Sequence, residues 1–137
     1  MRCPCCDLFV KVYKRKLNAR MARGLIWLVA QAGPERNFVY VPGGPTWLIQ
    51  TNEIATTAHW DLIEARPKDP KDRSRRTSGW WRPTVLGVDF VNDKANVPLR
   101  LHFLDNRVVG VDEELTNIVR ALGSQFDYPK LMSAGGQ

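Results

Sequence analysis

The clearest periodicity in the chain begins at Asn18. Met21, Leu25, Leu28 and Val29 repeat at helical spacing as far as Ala32, Asn18 is a good N-cap, and Gly33-Pro34 stops the run, which predicts a helix over residues 18–32. Ahead of it, residues 8–13 alternate bulky apolar positions with Lys11 and read as a short extended arm. The β-rich residues 38–41 lead into Pro42-Gly43-Gly44-Pro45, a turn that no regular element crosses. Residues 46–50 are short and apolar, either a helical turn or a strand. Thr51 then caps a second helix over residues 52–60, with Ile54, Ala55 and Ala58 on one face, although β-branched Thr56 and Thr57 lower its propensity.

Residues 61–65 leave that helix as an extended segment, and residues 66–79 are polar, basic and broken by Pro67, Pro70 and Gly79, so they form a loop. Residues 80–84 resume as a strand, and the two extended pieces pair as an antiparallel hairpin around a long charged tip. Trp80 and Trp81 are neighbours on that strand, so one faces the core and the other points outward. A helix over 85–92 follows, capped by Thr84, with Phe90 and Val91 inward. Residues 97–103 and 107–111 pair as a second hairpin. Asp112 caps a final helix to Leu122, with Glu113 and Glu114 in its first turn and Leu115, Ile118, Val119 and Leu122 as its buried stripe. Gly123 ends it, and residues 126–132 dock as a tail before a disordered end at 133–137.

A length of 137 residues, 44% of them hydrophobic with five tryptophans, suits one domain with a real core. The expected organisation is a cysteine-containing basic arm (1–17), a central body (18–92), a C-terminal hairpin and helix packed on the same domain (93–132) and the tail (133–137). No apolar run approaches the ~20 residues that span a bilayer, so no membrane partner is expected. The N-terminus carries no apolar signal segment, and three cysteines crowded into positions 3–6 make no spread disulfide framework; both point to a reducing, cytoplasmic setting. Charge sharpens the picture: residues 1–82 hold 15 Lys/Arg against 7 Asp/Glu, net +8, and residues 83–137 hold 5 against 7, net −2. The first part is built to face a polyanion, and the remainder is free for packing or self-association.

The order helix, short apolar element, helix, strand, basic loop, strand, helix is that of a winged helix-turn-helix. More closely, His59-Trp60-Asp61-Leu62-Ile63-Glu64, followed by Trp80-Trp81-Arg82-Pro83-Thr84 and Gly87, resembles the recognition-helix exit and wing-return strand of that superfamily, where a Gly-Leu-Ile turn and a Thr-x-x-Gly helix start recur. The resemblance covers about residues 18–92, and Asp61 stands where many relatives have glycine. It implies an α+β fold, a winged helix-turn-helix with an additional C-terminal β-hairpin and helix, in which the hairpin tip is the wing. It also implies that the 52–60 helix lies in or near a DNA major groove and offers Asn52, Thr56, Thr57 and His59 to base edges. Glu53 on that face repels phosphate. Cys3 to Cys6 and the Val-x-x-Tyr-Lys-Arg-Lys-Leu stretch through Leu17 resemble the start of a loose group of short phage-encoded proteins, which implies a phage origin and the host cytoplasm, not an activity.

The wing is the richest basic segment. Arg66, Lys68, Lys71, Arg73, Arg75, Arg76 and Arg82 stand against Asp69 and Asp72 within residues 66–82, a set suited to backbone phosphates or a narrow minor groove. Its structural alternative is a solvated mobile loop. Lys11, Lys14, Arg15 and Lys16, with Arg20 and Arg23, form a second basic run for phosphate contacts. Cys3 and Cys6 have the spacing of half a zinc knuckle, to be completed by Asp7, a histidine or a second subunit; the alternative is a reduced thiol cluster, with no cofactor. No Ser-His-Asp or Cys-His pattern and no phosphate loop appears, so no enzymatic activity is expected. The functional expectation is a regulatory or architectural nucleic-acid-binding protein acting on duplex DNA. The alternative is an inhibitor or adaptor docking on a host protein, and the last hairpin and helix could equally form a homodimer surface.

Overall fold

The structure, a computed structural model, describes residues 12–51, 53–67, 71, 79–105 and 107–133. It is a mixed α+β fold gathered around one helix, α1 (Ala19–Ala32). Asn18 Oδ1 accepts a hydrogen bond from the Met21 amide at 2.9 Å, and Gly33, at φ 73°, closes the far end by donating its N–H to the Val29 carbonyl. The sequence predicts both boundaries but only one apolar face. In fact nine of the fourteen residues are buried, because the segments Trp80–Pro83, Val85–Val91, Ile118–Leu122, Tyr128–Ser133 and Ile54–Trp60 all pack on it. Six of the nine, Met21, Ala22, Leu25, Ile26, Trp27 and Leu28, are part of a single apolar cluster that runs from Leu17 to Leu131.

Beyond α1, the strands β2 (Val39–Tyr40), β3 (Ile63–Ala65) and β4 (Trp80–Pro83) form an antiparallel sheet in the order β2-β4-β3. The expected hairpin is there, with Glu64 opposite Arg82 and Ala65 opposite Trp81. Between β2 and β3 lie a 3₁₀ turn (Val41–Gly43), the short helix α2 (Thr46–Thr51) and a 3₁₀ helix (Ile54–Trp60). The ambiguous 46–50 stretch is thus helical, and the predicted α-helix over 52–60 does not form. Thr57 Oγ1 donates to the Ile54 carbonyl at 2.6 Å, an i to i−3 bond that belongs to the tighter helix and competes with α geometry.

The chain leaves the 3₁₀ helix through Asp61, which takes the left-handed conformation (φ 61°, ψ 26°). Helix α3 (Val85–Val91) is then locked onto this exit. Thr84 N donates to the Leu62 carbonyl at 3.1 Å, Thr84 Oγ1 donates to the Asp61 carbonyl at 2.6 Å, and the same oxygen accepts from Gly87 N at 3.0 Å. One hydroxyl therefore caps α3 and ties it to the base of the hairpin. Thr84→Val keeps the shape and removes both bonds, and should lower stability by about 1–2 kcal/mol in chemical denaturation.

The last third departs most from expectation. Strands β6 (Arg100–Leu104) and β7 (Arg107–Val111) make the second hairpin, with Val109 as an extra residue at a bulge. Residues 97–98 separate from it as β5 (Val97–Pro98), which pairs with β8 (Leu115–Thr116). That pairing holds Leu115 and Thr116 extended, so the helix predicted from Asp112 starts only at Ile118, as α4 (Ile118–Leu122), capped by Asn117. Leu115 and Val119, predicted to be buried, are 48% and 46% exposed as a result. The tail docks as expected: α5 (Tyr128–Ser133) buries Leu131, and Tyr128 Oη donates to the Val91 carbonyl at 2.7 Å. The end of the predicted basic arm is not an arm. It is β1 (Tyr13–Lys16), the third strand of the sheet β1-β6-β7.

Candidate nucleic-acid interface

Strands β3 and β4 hold the two ends of the basic segment together. The Arg66 amide donates to the Trp80 carbonyl at 2.8 Å, extending the ladder one step toward the tip. Arg66 is exposed, and its guanidinium lies 5.8 Å from the Trp80 ring centre; Lys71 is exposed as well. The tryptophan pair divides as predicted. Trp81 packs on the core, and Trp80, 37% exposed, leans on Tyr40 with ring centres 5.2 Å apart. Arg82, expected at phosphate, has an acidic neighbour. It is ion-paired with Glu64, its cross-strand neighbour, and lies 4.7 Å from the Phe38 ring centre. Lys68, Arg73, Arg75 and Arg76 lie outside the described residues, as do Lys11, Asn52, Cys3 and Cys6.

The proposed base-reading residues fare differently, and His59 remains exposed. Thr57 is fully buried, with its hydroxyl spent on Ile54, so it reaches no base. His59 sits edge-on to Phe103 of β6 with ring centres 5.1 Å apart, and Trp60 Nε1 donates to the Pro98 carbonyl at 2.8 Å. Both contacts come from the C-terminal third, and His59 stays exposed beside Phe103. Thr56 is half-buried. Glu53 does not confront phosphate with a bare charge: Asn18 Nδ2 donates to it at 3.3 Å and the Arg20 guanidinium lies 3.6 Å away.

The second basic run is divided by the strand geometry. Lys14 stands opposite His102 and Lys16 opposite Arg100, on the face that alternates away from Leu101 and Phe103, whereas Arg15 is opposite Leu101. Sequence reasoning missed Arg100 and His102 as neighbours of these lysines, because only the long-range β1–β6 pairing brings them together. Like charges directly opposite destabilise a sheet, and carboxylates compensate here. His102 Nε2 donates to Asp112 Oδ1 at 2.8 Å, and Arg100 donates to Asp112 Oδ2 at 3.1 Å with Glu114 at 3.7 Å. Asp112, predicted to cap a helix, instead ties this face together.

The His102 hydrogen bond, assisted by Arg100 and opposed in part by desolvation, holds the Asp112 carboxyl below its usual value of 3.8. A carboxyl depressed on folding contributes stability above its unfolded value, and that contribution is lost as pH falls through the lowered folded value. Between about pH 5 and pH 2, the melting temperature of the parent should therefore fall more than that of Asp112→Asn; equal losses would mean that the cluster contributes nothing to acid sensitivity.

No family model, curated protein or solved structure matches the chain. The site is therefore judged on its own chemistry. Among the described residues no group of three or more His, Cys, Asp or Glu side chains is placed to hold a metal. His59 and His102, the histidines considered as partners for Cys3 and Cys6, are engaged by Phe103 and Asp112. No helix of the described residues is long and apolar enough to cross a membrane.

Proposed function

We propose that this chain is a winged-helix protein that binds duplex nucleic acid, DNA by preference, mainly through backbone phosphates, in a regulatory or architectural role and with the phage origin its N-terminal resemblance implies. The observation that carries the reading is the β3–β4 hairpin, which bounds a segment, residues 66–79, holding six Lys/Arg against two Asp. Such a charge excess at the tip of a two-stranded ribbon suits a phosphate backbone or a narrow minor groove. The winged-helix assignment draws support from the element order around the β2-β4-β3 sheet. It draws support too from the left-handed turn at Asp61, where relatives place glycine, and from the Thr84 and Gly87 contacts that start α3.

With Thr57 buried and Thr56 half-buried, the reading rests on charge and duplex shape more than on base edges, so matched and random sites should bind with similar affinity. The test is binding of a labelled random duplex against ionic strength, for the parent and for the variant Arg73→Ala/Arg75→Ala/Arg76→Ala. A steep salt slope that the variant flattens supports the reading; no binding at low salt overturns it. Val108, Val109 and Val111, exposed on the edge strand β7, favour a second reading, a host-protein adaptor on a winged-helix scaffold. One stoichiometric protein partner, with no nucleic acid retained at moderate salt, would select it.

A further inference from the structure

On the α4–α5 side of α1, two hollows of about 310 Å³ and 610 Å³ share Arg23, Gln125 and Phe126 as a common wall. The first lies against α2, with Arg20, Trp47 and Gln50 in its lining, and the second follows the 123–127 turn to Lys130. A third, of about 260 Å³, meets both at Gln125 and ends at Lys16 and Arg120. Together they make a branched groove whose lining carries five cations (Lys16, Arg20, Arg23, Arg120 and Lys130) and one acid, Asp127. Glu53, just outside it, is engaged by Asn18 and Arg20.

The centre of the groove is a stack. The Arg23 guanidinium lies 3.9 Å from the Trp47 ring centre and 5.1 Å from that of Phe126, and both rings are only partly buried. Flat cationic and aromatic surfaces with phosphate-seeking side chains around them are the combination that holds unpaired bases and their backbone. Gln50 and Gln125 add amide donors and acceptors of the kind that meet base edges. A duplex keeps its base faces stacked inside and has nothing to lay on Trp47 and Phe126. An acidic peptide would use the cations and leave the rings and amides idle. We propose that this groove is a binding site for single-stranded nucleic acid, distinct from the hairpin tip and independent of it.

Binding of a fluorescent oligothymidine of about ten nucleotides to the full chain, read by anisotropy at low salt, tests this. Arg120 and Lys130 are exposed, and Arg120→Glu/Lys130→Glu removes only a long 3.5 Å bond from Arg120 to the Leu115 carbonyl, so a thermal melt should show the fold retained. That variant should bind the single strand at least about tenfold more weakly and the random duplex as before. The variant Arg73→Ala/Arg75→Ala/Arg76→Ala should show the converse. An abasic strand of equal length should also bind the parent about tenfold more weakly, since it has no base to stack. Unchanged single-strand affinity in Arg120→Glu/Lys130→Glu, or equal affinity for the abasic strand, overturns the proposal. Equal competition by polyglutamate would replace it with an acidic protein ligand. Loss of duplex binding alone speaks against the hairpin, not against this groove.

Discussion

Replacing Gly87 by alanine should cost about 3 kcal/mol or more, roughly 10 °C in Tm. A Cβ at Gly87 would stand 2.0 Å from the Leu62 carbonyl oxygen and 3.1 Å from its carbon, and these are backbone atoms that no rotamer change moves. That carbonyl also accepts the Thr84 amide, and Thr84 caps α3, so relief of the clash must either push α3 off β3 or break the cap. Both outcomes loosen the base of the hairpin. Gly43→Ala is the matched control, because its Cβ would meet only Tyr40 Cδ2 at 3.4 Å, and it should change stability by less than about 1 kcal/mol. Thermal unfolding followed by circular dichroism distinguishes them. Equal melting of the two variants would mean that α3 does not rest on the Leu62 backbone, and that the hairpin is not anchored in the way described.

The elements that were legible in the sequence are those whose signals are local. Helix α1 carries its cap, its spacing and its glycine stop within sixteen consecutive residues, 18–33. The β3–β4 hairpin and the Thr84 cap are similarly specified by neighbours. What could not be read is whatever a distant partner decides. Asp112 and Asn117 are both good cap residues, and the choice between them is made by β8 pairing with β5 and by Arg100 and His102 drawing Asp112 to the sheet. The predicted stripe through Leu115 and Val119 fails for the same reason. At the candidate interface, the charge of the hairpin tip was plain from composition, but the pairing of Arg82 with Glu64 was not, since it depends on the register that sets them opposite. The contact of His59 with Phe103 likewise depends on a strand forty residues on.

The largest functional effect should come from the hairpin tip. Each cation on a phosphate releases about 0.9 of a condensed counterion, so removing Arg73, Arg75 and Arg76 should lower the steepness of log K against log salt by about 2.7 if all three make contact. Because this contribution vanishes near 1 M salt and grows as salt falls, the same three contacts are worth about two to three orders of magnitude in duplex affinity near 0.1 M. The parent and variant curves should therefore converge at high salt and fan apart at low salt. The loss should be the same for every duplex sequence, since phosphate contacts carry no base information. Parallel curves, with a constant offset at all salt concentrations, would mean that the arginines act through something other than phosphate contacts. A loss confined to one sequence would mean that they read base edges, and the hairpin would then be the specificity element rather than a clamp on the backbone.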